Sequence, residues 1–285
     1  MKRIAGTIAG SVLLAVLLMP AAYAATKSTT VTPAPSMSAA QSRLAVQAAI
    51  EILWAPIKPG MYQKVGKESL HISRGGIVFN NHYDTSTNGG QHRYTIVYTR
   101  YTSISAICYG RNACSDIASD PPGTLARSEG GEMVGEFMFK DNEGRNPCSA
   151  SCYDIVLNFA TALNSLHAIA VARQNAAGDL HRQAADWRAL SSKPPLPEEV
   201  RTHRILAENA VKEKKLDDAL EHYEAGLDLF YAWPQGHFNA ALISAELGFY
   251  EQAVEHMQSY LELTPDAPDA EAARDQIVIW RDKAK

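Results

Sequence analysis

The sequence predicts an α+β chain. A strand-rich, cysteine-bearing domain closed by one long helix precedes an all-α module of helical hairpins. Three observations carry that prediction. Between Ser69 and Lys140, runs dense in Tyr, Thr, Ile and Val alternate with turn text rich in Gly, Pro and Asn. The period then changes: from Asp154 onward, Ile155, Val156, Phe159, Leu163, Leu166, Ile169 and Ala170 recur every three or four residues, which predicts a helix of about five turns. Finally, "LDDALEHYEAGLDL" at 216–229 returns 34 positions later as "YEQAVEHMQSYLEL" at 250–263, the mark of an internal repeat.

In chain order, Lys2 and Arg3 precede an apolar run that Pro20 breaks, and Ala22-Tyr23-Ala24 supplies a small-x-small cleavage site. Residues 1–24 therefore read as a cleavable secretory signal, which places the protein in the periplasm or outside the cell. No later apolar run approaches about 18 residues, so no membrane span is expected after the signal. Residues 25–36 are small, polar and Pro-containing, and read as a mobile leader. From Ala39 to Leu53 a helix is expected, with Leu44, Ala48 and Ile52 on its apolar face, stopped by Pro56 and Pro59. "SLHISRGGIVFNNHY" reads as a hairpin turning at Arg74-Gly75-Gly76. "GEMVGEFMFK" alternates Met133, Phe137 and Phe139 with Glu132, Glu136 and Lys140, although Gly135 and Met138 blur the period. "SSKPPLPEE" at 191–199 is a stiff connector, which separates an α+β domain at 37–190 from a helical module at 200–285.

Charge changes at the same connector. Residues 25–197 carry 16 Lys and Arg against 13 Asp and Glu, whereas residues 198–285 carry 9 against 18. Such a shift marks a domain boundary. Removing Lys2 and Arg3 moves the formal net charge from -4 to -6, and a mildly acidic exported chain is a poor partner for nucleic acid. The four cysteines, Cys108, Cys114, Cys148 and Cys152, all lie in the first domain and read as two disulfides, with local and crossed pairings both open. Their spacings are weak for zinc. A redox-active Cys152 at a helix start is a minor alternative.

The order of strands and a closing helix, with "FATALNSL" at 159–166, resembles the pleckstrin-homology-like superfold over Met61–Arg173. The repeat is more specific. At the 34-residue offset Ala219 falls on Ala253, Glu221 on Glu255, His222 on His256, Leu227 on Leu261 and Leu229 on Leu263. Each unit places Ala219, Leu220, Tyr223, Leu227 and Phe230, or Ala253, Val254, Met257 and Leu261, on one helical face. A preceding helix offers small residues around Ala207 and Ala210, or Ala240, Ala241 and Ala245. With Ala241, Gly248, Tyr250, Ala253 and Pro265 in their places, the second unit is similar to the tetratricopeptide repeat family. The first unit has Lys214 for the turn glycine and Tyr231 for the closing proline, and Tyr260 stands where the family has a small residue. Ala273, Ile277 and Trp280 resemble the inner face of a closing helix. Two hairpins plus a cap form a short array, expected to lean on the first domain or on the long helix near Leu163.

No nucleophile elbow, zincin motif or phosphate-cradling loop occurs. Glu129, Glu132 and Glu136 read as a solvated strand edge, and His71, His82 and His92 as hairpin residues; His203, His222, His237 and His256 read as helix-surface residues. No cofactor or metal is implied. The tetratricopeptide resemblance implies a concave wall built from the first helix of each unit. Here that wall carries Arg201, Arg204 and Glu208, then Gln235, Phe238 and Leu242, suited to a protein or peptide partner with an acidic or C-terminal carboxylate group. The expected function is therefore a non-enzymatic scaffold or adaptor. The alternative is a ligand-sensing or hydrolytic sheet domain, with the hairpins serving structure or dimerisation. A deep polar pocket gathering His71, His82 or His92 would favour the alternative.

Overall fold

Two antiparallel sheets share one core in the computed structural model, which describes residues 28–58, 61–80, 93–109, 113–128, 132–140 and 150–285. The expected signal segment, His82, His92, Glu129 and Cys148 lie outside the described residues. The strands are β1 (Ser28–Val31), β2 (Leu53–Lys58), β3 (Met61–Lys64), β4 (His71–Ile72), β5 (Gly76–Asn80), β6 (Arg93–Val97), β7 (Ser103–Tyr109), β8 (Ala113–Asp120), β9 (Ala126–Ser128), β10 (Met133–Val134) and β11 (Glu136–Phe139). Sheet one runs β1-β7-β8-β11-β2-β3, and sheet two runs β10-β9-β6-β5-β4. The helices are α1 (Ala39–Ile50), α2 (Ala150–Ala189), α3 (Glu198–Lys212), α4 (Leu216–Leu229), α5 (Pro234–Glu246), α6 (Tyr250–Leu263) and α7 (Ala270–Lys283).

The alternation in the strand text builds the shared core. β6 buries Tyr94 and Ile96 and turns Arg93, Thr95 and Val97 the other way, while β7 buries Ile104, Ala106 and Cys108. Phe79, Tyr94 and Phe137 meet with ring centroids 5.4–6.0 Å apart, and each fully buried ring contributes roughly 1.5–3 kcal/mol. Cys108 and Cys114 face each other across β7 and β8 and are joined, which settles that pairing as local. Such a bond suits an oxidising compartment. The expected Cys148–Cys152 pair involves a residue outside the described ones, but Cys152 is not a free thiol.

Several expectations are corrected. Part of the leader is β1, paired to β7, and the Ser36 and Met37 amides both donate to Ser165 Oγ. α1 is capped by Ser38 and Gln41 in a reciprocal box, but its buried face is Ser42, Val46, Ala49 and Ile50, with Leu44 67% exposed. The reason is its seat along α2, which selects a stripe displaced by two positions from Leu44 and Ala48; Ile52, just past the end of α1, is buried as expected. Gly135 does more than blur a period. It divides β10 in sheet two from β11 in sheet one, so the inward set is Val134, Phe137 and Phe139, and Met133 is left 44% exposed.

The long helix is the largest departure. α2 has 40 residues, about 60 Å at 1.5 Å per residue, not five turns. Its segment Cys152–Asn175 is long and apolar enough to cross a membrane by length and composition, which the sequence reading missed. Here Val156, Phe159, Leu163 and Leu166 pack into the sheet core, with Phe159 edge-on to Phe139. Asn164, buried, accepts from the Ile104 amide at 2.7 Å and donates to the Ile104 carbonyl at 2.9 Å, taking the place of a strand neighbour for β7. The second half of α2 leaves the sheets. Ala184 joins Ala232 and Leu263, and Trp187 lies edge-on to Phe230, so the array leans on α2 there and not near Leu163. Lys193 then donates to the carbonyls of Trp187 and Leu190, closing the helix end and fixing the connector.

α3 with α4 and α5 with α6 form two hairpins. Gly226 near the end of α4 lies beside His203 near the start of α3, which makes that pair antiparallel. The apolar face read from each unit is buried: Ala219, Leu220, Tyr223 and Leu227 in the first, Ala253, Val254 and Met257 in the second. α7 covers the second hairpin with Ala273, Ile277 and Trp280, as expected.

Candidate functional site

The array is mounted by its second helices. Arg74, in the β4–β5 turn, places Nε 3.1 Å from Glu224 Oε2 and Nη1 2.5 Å from Asp228 Oδ2, and it donates to the Glu224 carbonyl at 2.8 Å. Arg43 pairs with Glu221 at 2.7 Å, His71 with Asp217 at 3.0 Å, and Arg100 with Glu251. Gln252 lies over Gly75, its Oε1 3.4 Å from where a Cβ would stand, and donates to Glu224 Oε1. Val78, from β5, enters the hydrophobic cluster of the hairpins. These acids belong to α4 and α6, and the bases to the sheet domain. The charge step in the sequence is thus matched across an interface inside the molecule. Glu224 is only 2% exposed, and burial raises its pKa to about 7 even though Arg74 and Arg43 pull it down.

The sequence-predicted wall lies on α3 and α5. Arg201, Arg204 and Glu208 occupy one face of α3, and Gln235, Phe238 and Leu242 the equivalent positions of α5. Arg201 donates to Glu198 at 2.8 Å, and Arg204 Nε stands 4.0 Å from Glu208. Gln235 donates to Asn239, which donates in turn to Tyr223 Oη at 2.9 Å, stitching the first hairpin to the second. Leu242 is 44% exposed. Phe238 is half-buried, edge-on to Tyr260 at 5.1 Å, so it is more a packing residue than a free anchor.

A different region forms the large cavity. A cleft of about 1530 Å³ lies between the outer face of sheet two, the second half of α2, and the ends of α4, α6 and α7. None of the six predicted wall residues lines it, and neither does His71; its histidines are His181, His237 and His256. Its sheet-and-α2 wall carries Arg74, Arg93, Arg100, Arg127 and Arg173, and its array wall carries Glu224, Asp228, Glu251, Glu255 and Glu262. Arg93 lies against Gly248, where a Cβ would stand 3.1 Å from its Nη1. Arg127 donates through Nη1 to the Ala284 carbonyl, while its Nε is buried without an acceptor. Burial, then the nearby Arg127, lowers the Arg100 pKa to about 10. Sequence reading missed these arginines. Their signal is Arg93 alternating with Thr95 and Val97 on a strand whose other face is Tyr94 and Ile96.

The repeated histidines, expected on the helix surface, lie deeper: His237 is buried, and His203, His222 and His256 are half-buried. His203 meets His222 with Nδ1 atoms 3.4 Å apart, and His237 meets His256 at 3.3 Å, each pair lying between the two helices of its hairpin. In the second pair the geometry fixes the protons. His237 Nε2 is 3.0 Å from the Tyr231 carbonyl, which only accepts, so Nε2 carries the hydrogen and Nδ1 accepts from His256 Nδ1. His256 Nε2 is left as a bare lone pair, buried without a partner. Burial lowers the two pKa values to about 3 and about 4, so both rings are neutral near pH 7.

Among the described residues no group of three or more His, Cys, Asp or Glu side chains converges as a metal site. Ser115 Oγ contacts Asp116, whose pKa is raised by burial. Glu136 accepts from Tyr62 Oη at 3.1 Å, and Glu132 stands on the far side of the Gly135 break. No protein-family model matches the chain, and no curated protein matches it.

Proposed function

We propose that this protein is an exported, non-enzymatic adaptor that holds a protein or peptide partner on the inner wall of a two-unit tetratricopeptide-like array. In this reading the sheet domain, pleckstrin-homology-like in its order of strands and closing helix, is the mount. One observation carries it: the polar anchors to the sheet domain come from α4, α6 and the carbonyl of Ala284. The helices bearing Arg201, Glu208, Gln235 and Leu242 keep those side chains exposed. A wall that is uncovered, carries two guanidiniums and is held rigidly from behind suits an acidic segment or a terminal carboxylate.

The test is comparative capture from envelope extract, with intact protein against the double variant Arg204→Ala, Leu242→Ala. Leu242 is preferred to Phe238 because Phe238 supports Tyr260, so its loss would disturb the fold. The double variant is expected to lose proteins that the intact chain retains, with unchanged melting. Identical captured sets would remove the inner wall as the partner site.

A further inference from the structure

We propose that the cleft between sheet two and the hairpin array is a separate binding site for a short zwitterionic peptide. Its carboxylate would sit on Arg93 and Arg127, and its ammonium group would face Glu255, beside the His256 ring. The cationic end is the stronger argument. Thr95 of β6 pairs directly with Arg127 of β9, and Arg93 projects from the same face two residues earlier. Two guanidiniums are thus diagonal neighbours on one strand pair, within reach of each other. Neither has a carboxylate partner among the described residues. Arg127 spends one donor on the neutral Ala284 carbonyl and leaves Nε buried and unmatched. Nearby Arg100 is already neutralised by Glu251. Adjacent like charges in a partly enclosed cleft are unfavourable unless an anion lies between them. The forked donors of arginine match a carboxylate with two parallel hydrogen bonds.

The opposite wall narrows the ligand class. Gln252, Glu255, His256 and Ser259 line the cleft from α6. His256 is part of that wall, with its Nε2 buried behind it and unmatched, and Glu255 has no ion-pair partner among the described residues. Acceptors and a carboxylate facing a pair of arginines repel a polyanion and attract a molecule with one charge at each end. The volume exceeds that of an ordinary small-molecule pocket, about 300–1,000 Å³, and so admits several peptide residues. Outward Thr95 and Val97, on the floor between the walls, can meet a peptide backbone without demanding one side-chain sequence.

The experiment is native mass spectrometry of the purified protein with a mixture of tetrapeptides randomised at every position, offered with free termini, amidated C-termini or acetylated N-termini. Free peptides are expected to give adducts. Amidation, and separately Arg93→Gln, should reduce them at least tenfold, and acetylation should reduce them to a smaller extent. Adducts should persist in the Arg204→Ala, Leu242→Ala variant, which separates this site from the inner wall. Absence of adducts with free peptides, or equal adducts with the amidated mixture, would overturn the proposal. The amidated comparison uses the unaltered protein, so it stands even if Arg93→Gln perturbs the contact with Gly248.

Discussion

In the first hairpin the turn between helices rests on Lys214 at φ 60°, and in the second on Gly248 at φ 87°. The same left-handed corner is thus made once with a side chain and once without. A second contrast runs through the packing. Gly226 on α4 makes room for Trp233, whose ring a Cβ would meet at 2.8 Å. Thirty-four positions on, Tyr260 replaces that glycine and Ala267 replaces that tryptophan. Large and small have changed places across the groove, so the sum of volumes is kept while both residues differ. Tyr260 is then buried and its hydroxyl donates to Asp269 at the start of α7. The pair of hairpins shows that a repeat preserves backbone corners and filled volume, and that residue identity is only one way of preserving them.

The largest effect is expected at the wedge. Trp233→Ala should cost about 3–5 kcal/mol in urea unfolding. Adding Gly226→Tyr, which writes the second hairpin's solution into the first, should recover more than half of that loss. A double variant no more stable than the single one would break the size-exchange account.

The histidine pairs give the next effect. The folded pKa values of His237 and His256, about 3 and about 4, lie below the ordinary 6.5. Their contribution is therefore complete above pH 6.5 and lost as pH falls below it, on the order of 2 kcal/mol by pH 5.5. Glu224 works in the opposite sense. Its folded value of about 7 lies above 4.5, so it contributes stability at low pH that disappears as pH rises through 7. Glu224→Gln, which copies Gln258 of the second unit, should therefore steepen the acid loss. His237→Gln with His256→Gln in that background should flatten it, as read by unfolding free energy across pH 4.5–7.5. An acid limb unchanged by the histidine substitutions would show that the second pair does not hold its rings neutral.

The smallest effect concerns the corners. Gly248→Ala should cost roughly 1–2 kcal/mol for a side chain at positive φ, with Arg93 displaced as well. Lys214→Gly, relieving the same strain, should shift stability by no more than about 1 kcal/mol because glycine also loosens the unfolded chain. Equal and opposite changes in urea midpoint would mean that the Arg93 contact with Gly248 contributes nothing.

Local features were legible before the structure. The 34-residue offset located both hairpins, and Ala273, Ile277 and Trp280 located the cap; Arg74-Gly75-Gly76 located the β4–β5 turn. These depend on neighbours a few positions away. What could not be read depends on distant pairing. Arg74 meeting Glu224, and Gln252 covering Gly75, join segments with no shared period. The second half of α2 was hidden for another reason: the apolar period read from the sequence runs only to Ala170, yet Ala184 and Trp187 lie farther along and find a surface only in the array. Of the wall residues, the face of α3 and α5 was legible, but that Phe238 is engaged by Tyr260 was not. The arginines of the cleft went unseen because a strand's outward face looks the same whether it meets water or another domain.

α2 passes through one core and ends in the other, so the molecule has a single unbroken axle where a two-domain chain usually has a hinge. A weight hung on α3 and α5 is carried back to the sheets at a constant angle. Anything docked there would be displayed like a tool on a fixed bracket, its orientation decided when the chain folds and not when the partner arrives.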